Sequence, residues 1–96
     1  MRLVETAIPI RDPVRSVCEI LGYDPLFLAC EGRVVAVLTA SEADEALARW
    51  QQLPEGREAA CIGEILYGPP WVEVETELGG RRLLPELEDD PLPRIC

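Results

Sequence analysis

Histidine and lysine are both missing from these 96 residues. The first absence removes the usual general base, the usual activator of a serine or cysteine nucleophile, and the commonest metal ligand. The second removes Schiff-base chemistry and any lysine clamp on a phosphate. No apolar run approaches the roughly 20 residues needed to cross a bilayer. None of the four cysteines forms a C-x-x-C pair, so no zinc or dithiol redox motif is visible. The opening Met1-Arg2-Leu3-Val4-Glu5 has no apolar signal core, and the chain reads as cytoplasmic.

Positive charge is also scarce. Nine arginines face 18 acids, a net charge of −9. No basic patch can dominate such a surface, which argues against nucleic acid and anionic membranes as partners. An acidic face that docks a basic partner stays possible, beside the plainer reading of a solvated acidic surface. Whatever chemistry occurs must use carboxylates, arginines, backbone groups or thiols.

The cysteines are Cys18, Cys30, Cys61 and Cys96. Cys18 and Cys61 lie among apolar residues and read as small buried hydrophobes, and Cys30 is assigned to packing as well. Cys96 resists that explanation. It ends Pro91-Leu92-Pro93-Arg94-Ile95-Cys96, where two prolines favour an extended backbone. A thiol there suits presentation to another site.

Along the chain, residues 3–10 read as a short extended segment. Residues 11–22 predict a helix, with Asp12 as its cap, Pro13 in its first turn and Gly22 as its stop. Val14, Val17, Cys18 and Leu21 form its apolar face. Residues 26–30 and the β-branched run 33–39 predict two strands joined at Glu31-Gly32 as a hairpin. Ser41 is expected to cap a second helix running to about Gln52, with Ala43, Ala46, Leu47 and Trp50 on its inner face. Strands are predicted over 59–67, 71–78 and 81–85. In the second of these, Val72, Val74, Thr76 and Leu78 share one side, and Gly79-Gly80 makes the turn that follows it. An acidic, proline-rich tail closes the chain from Glu86, with a reach of roughly 35 Å when extended.

The fold class expected is α+β, with two helices packed on one face of a mostly antiparallel sheet. The domain occupies residues 1–85, and 86–96 is a flexible tail carrying the terminal cysteine. A chain of this length buries roughly 60–70% of its unfolded surface, enough for one modest domain.

Several segments together resemble the HypE family of NiFe-hydrogenase maturation proteins. They are Ala7-Ile8-Pro9-Ile10-Arg11, Cys18-Glu19-Ile20-Leu21-Gly22, Asp24-Pro25-Leu26, Ala29-Cys30-Glu31-Gly32, Ile62-Gly63-Glu64 and the terminal Pro93-Arg94-Ile95-Cys96. The resemblance is to the C-terminal part of that family and covers nearly the whole chain. Its most specific element is the P-R-I-C terminus. The family belongs with aminoimidazole ribonucleotide synthetase and selenophosphate synthetase, whose members pair an N-terminal ATP-binding domain with a C-terminal α+β domain.

The resemblance implies a thiol carrier. In the family the terminal cysteine is carbamoylated by a HypF-type carbamoyltransferase. ATP then drives dehydration to a thiocyanate, and the cyano group passes to iron held by a HypC–HypD scaffold. Carried onto this chain, Cys96 holds the cargo while Pro93, Arg94 and Ile95 position it. Arg94 is either a solvated charge or a cation that eases thiol ionisation. Glu31, by position alone an ordinary turn glutamate, matches a family Glu-Gly motif and becomes the candidate base. Glu19 and Glu64 are given structural roles.

The chain departs from the family pattern in lacking the ATP-binding domain and the first part of the C-terminal domain. ATP and Mg are therefore expected for the complete protein and not for this chain alone. No metal site is expected, and dehydration is not expected without the other half, supplied in one chain or as a split partner. Cys30 is a smaller departure, at a position where a less reactive residue, often asparagine, is expected. Two alternatives remain open: a non-catalytic acidic domain that docks maturation partners, and an acyl carrier or redox protein of another pathway.

Overall fold

The structure is a computed structural model that describes residues 1–86. It is α+β, with two α-helices and a four-stranded sheet whose pairings are mostly antiparallel. The described residues fall into two compact units. One contains Met1–Pro9 with Ala36–Pro85, and the other is built on Ile10–Val35.

The first unit holds the sheet. Its strands are β1 (Arg2–Val4), β2 (Gly63–Glu64), β3 (Val72–Glu75) and β4 (Arg81–Leu84), in the order β2-β1-β3-β4. β1 pairs antiparallel with β2 and parallel with β3, and β3 pairs antiparallel with β4. The N-terminal strand is thus central, and the terminal amine donates to the carbonyl of Trp71 at 3.0 Å. Alternation in Val72-Glu73-Val74-Glu75 separates two faces. Val74, fully buried, shares its row with Leu3 and Arg82. Glu73 shares the opposite face with Arg2 and, across β1, with Glu64.

β2 and β3 are shorter than the predicted 59–67 and 71–78. β1 offers only three residues, so β2 can pair at Arg2↔Glu64 and Leu3↔Gly63, with one further bond from Val4 N to Ile62 O at 2.8 Å. The predicted turn at Gly79-Gly80 forms, but it begins at Thr76. Thr76 N donates to Gly80 O at 2.8 Å and Gly79 N to Thr76 O at 2.9 Å, with Gly79 at φ +87°. Leu78 therefore stands at the tip in solvent and leaves the inner face it was assigned.

The second helix of the chain, α2 (Ala40–Gln51), also lies in this unit. Its cap is Thr39 and not Ser41. Glu42 Oε2 accepts from both Thr39 N at 3.3 Å and Thr39 Oγ1 at 2.8 Å. Thr39 has the extended backbone a cap requires, whereas Ser41 is already inside the helix. Glu45 and Arg49 pair one turn apart at 2.7 Å on its exposed surface.

The second unit is built around α1 (Asp12–Leu21), where the first predicted helix lies. Arg11 occupies the cap position and Asp12 the first turn, where its charge favours the helix dipole. Gly22 ends the helix at φ +73°, with its own N–H and that of Tyr23 directed at Cys18 O.

The predicted hairpin does not form. Asp24 Oδ1 accepts from Leu26 N at 2.9 Å, and Pro25 presets the backbone of a 3-10 turn over Pro25–Phe27. That turn consumes the start of the predicted strand. Among the described residues, none pairs in a ladder with 33–39, and Val34, Val35 and Val37 stand in solvent. A β-branched run becomes a strand only where a neighbouring backbone supplies hydrogen bonds.

Candidate functional site

Glu31 follows the 3-10 turn and is exposed. Gly32 beside it takes φ +76°, a left-handed conformation that bends the chain. The position is a turn, as the sequence implied, but it is not a hairpin tip. Cys30, assigned to packing, is exposed next to Glu31. The packing reading fails there because the strand that would have buried it is replaced by irregular backbone. Glu19, on α1, and Glu64, on β2, are exposed as well.

Cys96 and its positioning residues Pro93, Arg94 and Ile95 lie outside the described residues. Of the other thiols, Cys18 is 2% exposed and Cys61 is exposed, with Sγ directed at Gly63 O at 3.7 Å. The inward reading holds for Cys18 and fails for Cys61. The short β2 begins two residues later, which leaves Cys61 on a loop.

The sequence reading missed a cluster on the charged face of the sheet. Glu73 Oε2 accepts from Arg2 Nε at 3.4 Å, while Oε1 accepts from the Trp71 indole N–H at 3.4 Å. The indole hydrogen bond, with added help from Arg2 and the nearby Arg81, holds the Glu73 carboxyl below its ordinary value of 4.5. The alternation of β3 could have placed Glu73 on a polar face. Its pairing with Arg2 depends on the parallel β1–β3 contact, for which the sequence carries no local signal.

On α1, an open hollow is lined by Pro13, Val14, Val17, Cys18 and Leu28. All five are apolar or thiol side chains, without a cation or hydroxyl for a phosphate. These residues do not fit ATP, and no ATP-dependent step is assigned to them. Among the described residues, no group of three or more Cys, Asp or Glu is arranged to hold a metal ion, and no helix is long and apolar enough to cross a membrane.

No family model matches the chain. Individual proteins match throughout. The chain is 46% identical to the carbamoyl dehydratase HypE of Azotobacter vinelandii over 97 aligned residues, covering 100% of the chain and 28% of that protein. A crystal structure of the hydrogenase maturation protein HypE superposes with a TM-score of 0.88 at 43% identity, over 99% of this chain and 32% of the solved one. HypE solved in complex with ATP gives 0.85 at 41% identity, over 94% and 29%. The structure of a HypE–HypF complex gives 0.83 at 32% identity, over 90% and 28%. The chain thus spans less than a third of the length of the proteins it matches.

Proposed function

From a chain that belongs to the HypE family and corresponds to a C-terminal part of it, we propose a thiol-carrier portion of an ATP-dependent carbamoyl dehydratase, in which Cys96 holds the one-carbon cargo. The observation that carries this reading is the similarity to a carbamoyl dehydratase over the full chain, the cysteine-terminated P-R-I-C segment included.

The chemistry suits the residues. A thiolate attacks the carbonyl of an activated carbamoyl donor, the carbon–leaving-group bond breaks, and a thiocarbamate remains on sulfur. Dehydration to the thiocyanate then requires the carbonyl oxygen to leave as phosphate after phosphorylation by ATP. Two protons must also leave the nitrogen. No histidine is present to take them, and Glu31 is the carboxylate assigned to that task. Its exposed place on a turn leaves it open to a docked substrate. ATP and Mg belong to the part of the family's length that this sequence does not match. HypE solved with ATP supports ATP binding by the complete protein, and the HypE–HypF complex supports a HypF-like carbamoyltransferase as the donor enzyme. A HypC–HypD-like iron scaffold is the acceptor in this reading.

The test is direct. Incubation with a HypF-type carbamoyltransferase, carbamoyl phosphate and ATP should raise the intact mass by one carbamoyl group, and Cys96→Ala should abolish the gain. An unchanged mass for the native chain would overturn the carrier role. Binding to the transferase that survives Cys96→Ala, with no mass gain in either protein, would favour a non-catalytic acidic docking domain. In a complete dehydratase containing this sequence, Glu31→Gln should leave carbamoylation intact and stop the ATP-dependent loss of water.

A further inference from the structure

The loop between β2 and β3 holds its apolar side chains out in solvent. Residues 65–71 read Ile-Leu-Tyr-Gly-Pro-Pro-Trp, and every one is exposed. Tyr67 is fully exposed, while Ile65, Leu66 and Trp71 are 55%, 42% and 47% exposed. A solvated loop avoids such a run, and the centre of an interface collects it, tyrosine and tryptophan above all. The loop is also stiff. Pro69 and Pro70 fix two φ angles, and Gly68 turns the chain at φ +148°. Trp71 N donates to Pro69 O at 2.8 Å, and the Trp71 indole donates to Glu73. Little freedom is left to lose when a partner grips it, which favours binding.

The place of the loop selects its partner. Val72 and Leu84 stand opposite each other in the β3–β4 register. The loop therefore ends, at Trp71, beside the end of β4, and from there the sequence continues through residues 86–96 to Cys96. An enzyme held at the loop has the root of that segment at its contact, and a chain of that length reaches roughly 35 Å when extended. Charge narrows the partner further. Between Arg57 and Arg81 the sequence carries five glutamates and no cation, and Glu64, next to the loop, is exposed. Across an interface, acids of this kind are matched by arginine and lysine. We propose that residues 65–71 dock the carbamoyl-donor enzyme, seating Tyr67 and Trp71 in an apolar pocket with a basic rim. The same acids oppose a second copy of the chain, which would set Glu64 against like charge. The proposal rests on the carrier reading for its partner, and goes beyond it in assigning recognition to residues outside the terminal segment.

The test is the Kd of the full chain for a HypF-type carbamoyltransferase, measured by calorimetry without carbamoyl phosphate. Tyr67→Ala and Trp71→Ala should each weaken binding by about tenfold or more, the loss expected where a central aromatic is removed. Leu78→Ala is the control, since Leu78 is as open to solvent but sits on the turn at the other end of β3; its Kd should equal that of the native chain. Tyr67 is fully exposed, so its removal takes no packing from the fold, and an unchanged melting temperature for Tyr67→Ala checks this. A native Kd in Tyr67→Ala, an equal loss in Leu78→Ala, or no binding by the native chain would each overturn the proposal. Self-association, or binding to phosphatidylcholine vesicles, that Tyr67→Ala abolishes would assign the loop to a second copy or to a bilayer, and either would overturn it as well. The two readings fail separately. Carbamoylation of Cys96 with a native Kd in Tyr67→Ala would remove the docking loop alone, whereas loop-dependent binding without any mass gain would remove the carrier role alone.

Discussion

Arg2 on β1 and Glu73 on β3 stand directly opposite each other in the parallel register, with Arg2 Nε 3.4 Å from Glu73 Oε2. The other carboxylate oxygen accepts from the Trp71 indole. One side chain therefore ties the central strand to the tryptophan that precedes β3. The folded-state value of this carboxyl is lowered, so its contribution to stability is fully present above the ordinary carboxylate value of 4.5 and is lost as pH falls through the folded value. In a Trp50→Phe background, Trp71 is the one remaining tryptophan. Its fluorescence should show a titration step below pH 4.5, and Glu73→Gln should remove that step. A step that persists in Glu73→Gln would assign it to another group.

Gly63 tests how closely β2 approaches β1. A Cβ at Gly63 would land on the carbonyl oxygen of Arg2 and would lie 3.0 Å from the Leu3 Cα. Both are backbone atoms of the central strand, so neither can swing aside. Gly63→Ala should cost about 1–3 kcal/mol, the range for overpacking a close contact. At Gly80 the nearest atom to an added Cβ is the Thr76 side-chain oxygen, at 3.3 Å. That hydroxyl can rotate, so Gly80→Ala should be markedly milder. Urea midpoints of the two variants check the contrast, and equal losses would show that β2 is not held against β1 as described.

The helices and the last two strands were legible because their signals are local. Pro13 and Gly22 bracket α1, acids crowd the start of α2, and the alternation from Val72 announces β3. The pairing partner of a strand is not local information. Val34-Val35-Ala36-Val37 has strand composition, yet what decides its state is a neighbouring backbone, and among the described residues none is in register with it. The same reason hid the Arg2–Glu73 contact, which joins residues 71 positions apart. Of the candidate site, Glu31 could be placed on a turn from Gly32 alone. The apolar neighbours of Cys30 and Cys61 read as strand and so turn both thiols inward, whereas both are exposed where those strands shorten or vanish.

The expected cap of α2, Ser41, lies two positions beyond the observed one, Thr39. Thr39 bonds Glu42 through both its backbone N–H and its hydroxyl. Thr39→Ala should therefore destabilise the first unit by about 1 kcal/mol, the usual cost of losing a cap. Ser41 lies within the first turn of the helix, and Ser41→Ala should be close to neutral, since alanine is the better helix former. Thermal unfolding of the two variants distinguishes the positions, and the reverse order would restore Ser41 as the cap.

Exposed thiols bear directly on any carrier role for Cys96, because such a role requires selectivity. Cys30 and Cys61 are both open to solvent, whereas Cys18 is 2% exposed. The Cys61 Sγ is directed at the Gly63 carbonyl at 3.7 Å, a contact that a reagent must displace to reach the sulfur. Iodoacetamide should therefore modify Cys30 fastest, Cys61 more slowly, and Cys18 only on unfolding. A carbamoyltransferase that recognises the C-terminal segment should behave differently. It should place its cargo on Cys96 and leave Cys30 unmodified, although a small reagent reaches Cys30 readily. Peptide mapping after each treatment reads the two patterns. Carbamoylation that follows the small-reagent order would mean that exposure alone directs the transfer, and the terminal thiol would then have no special claim to the cargo.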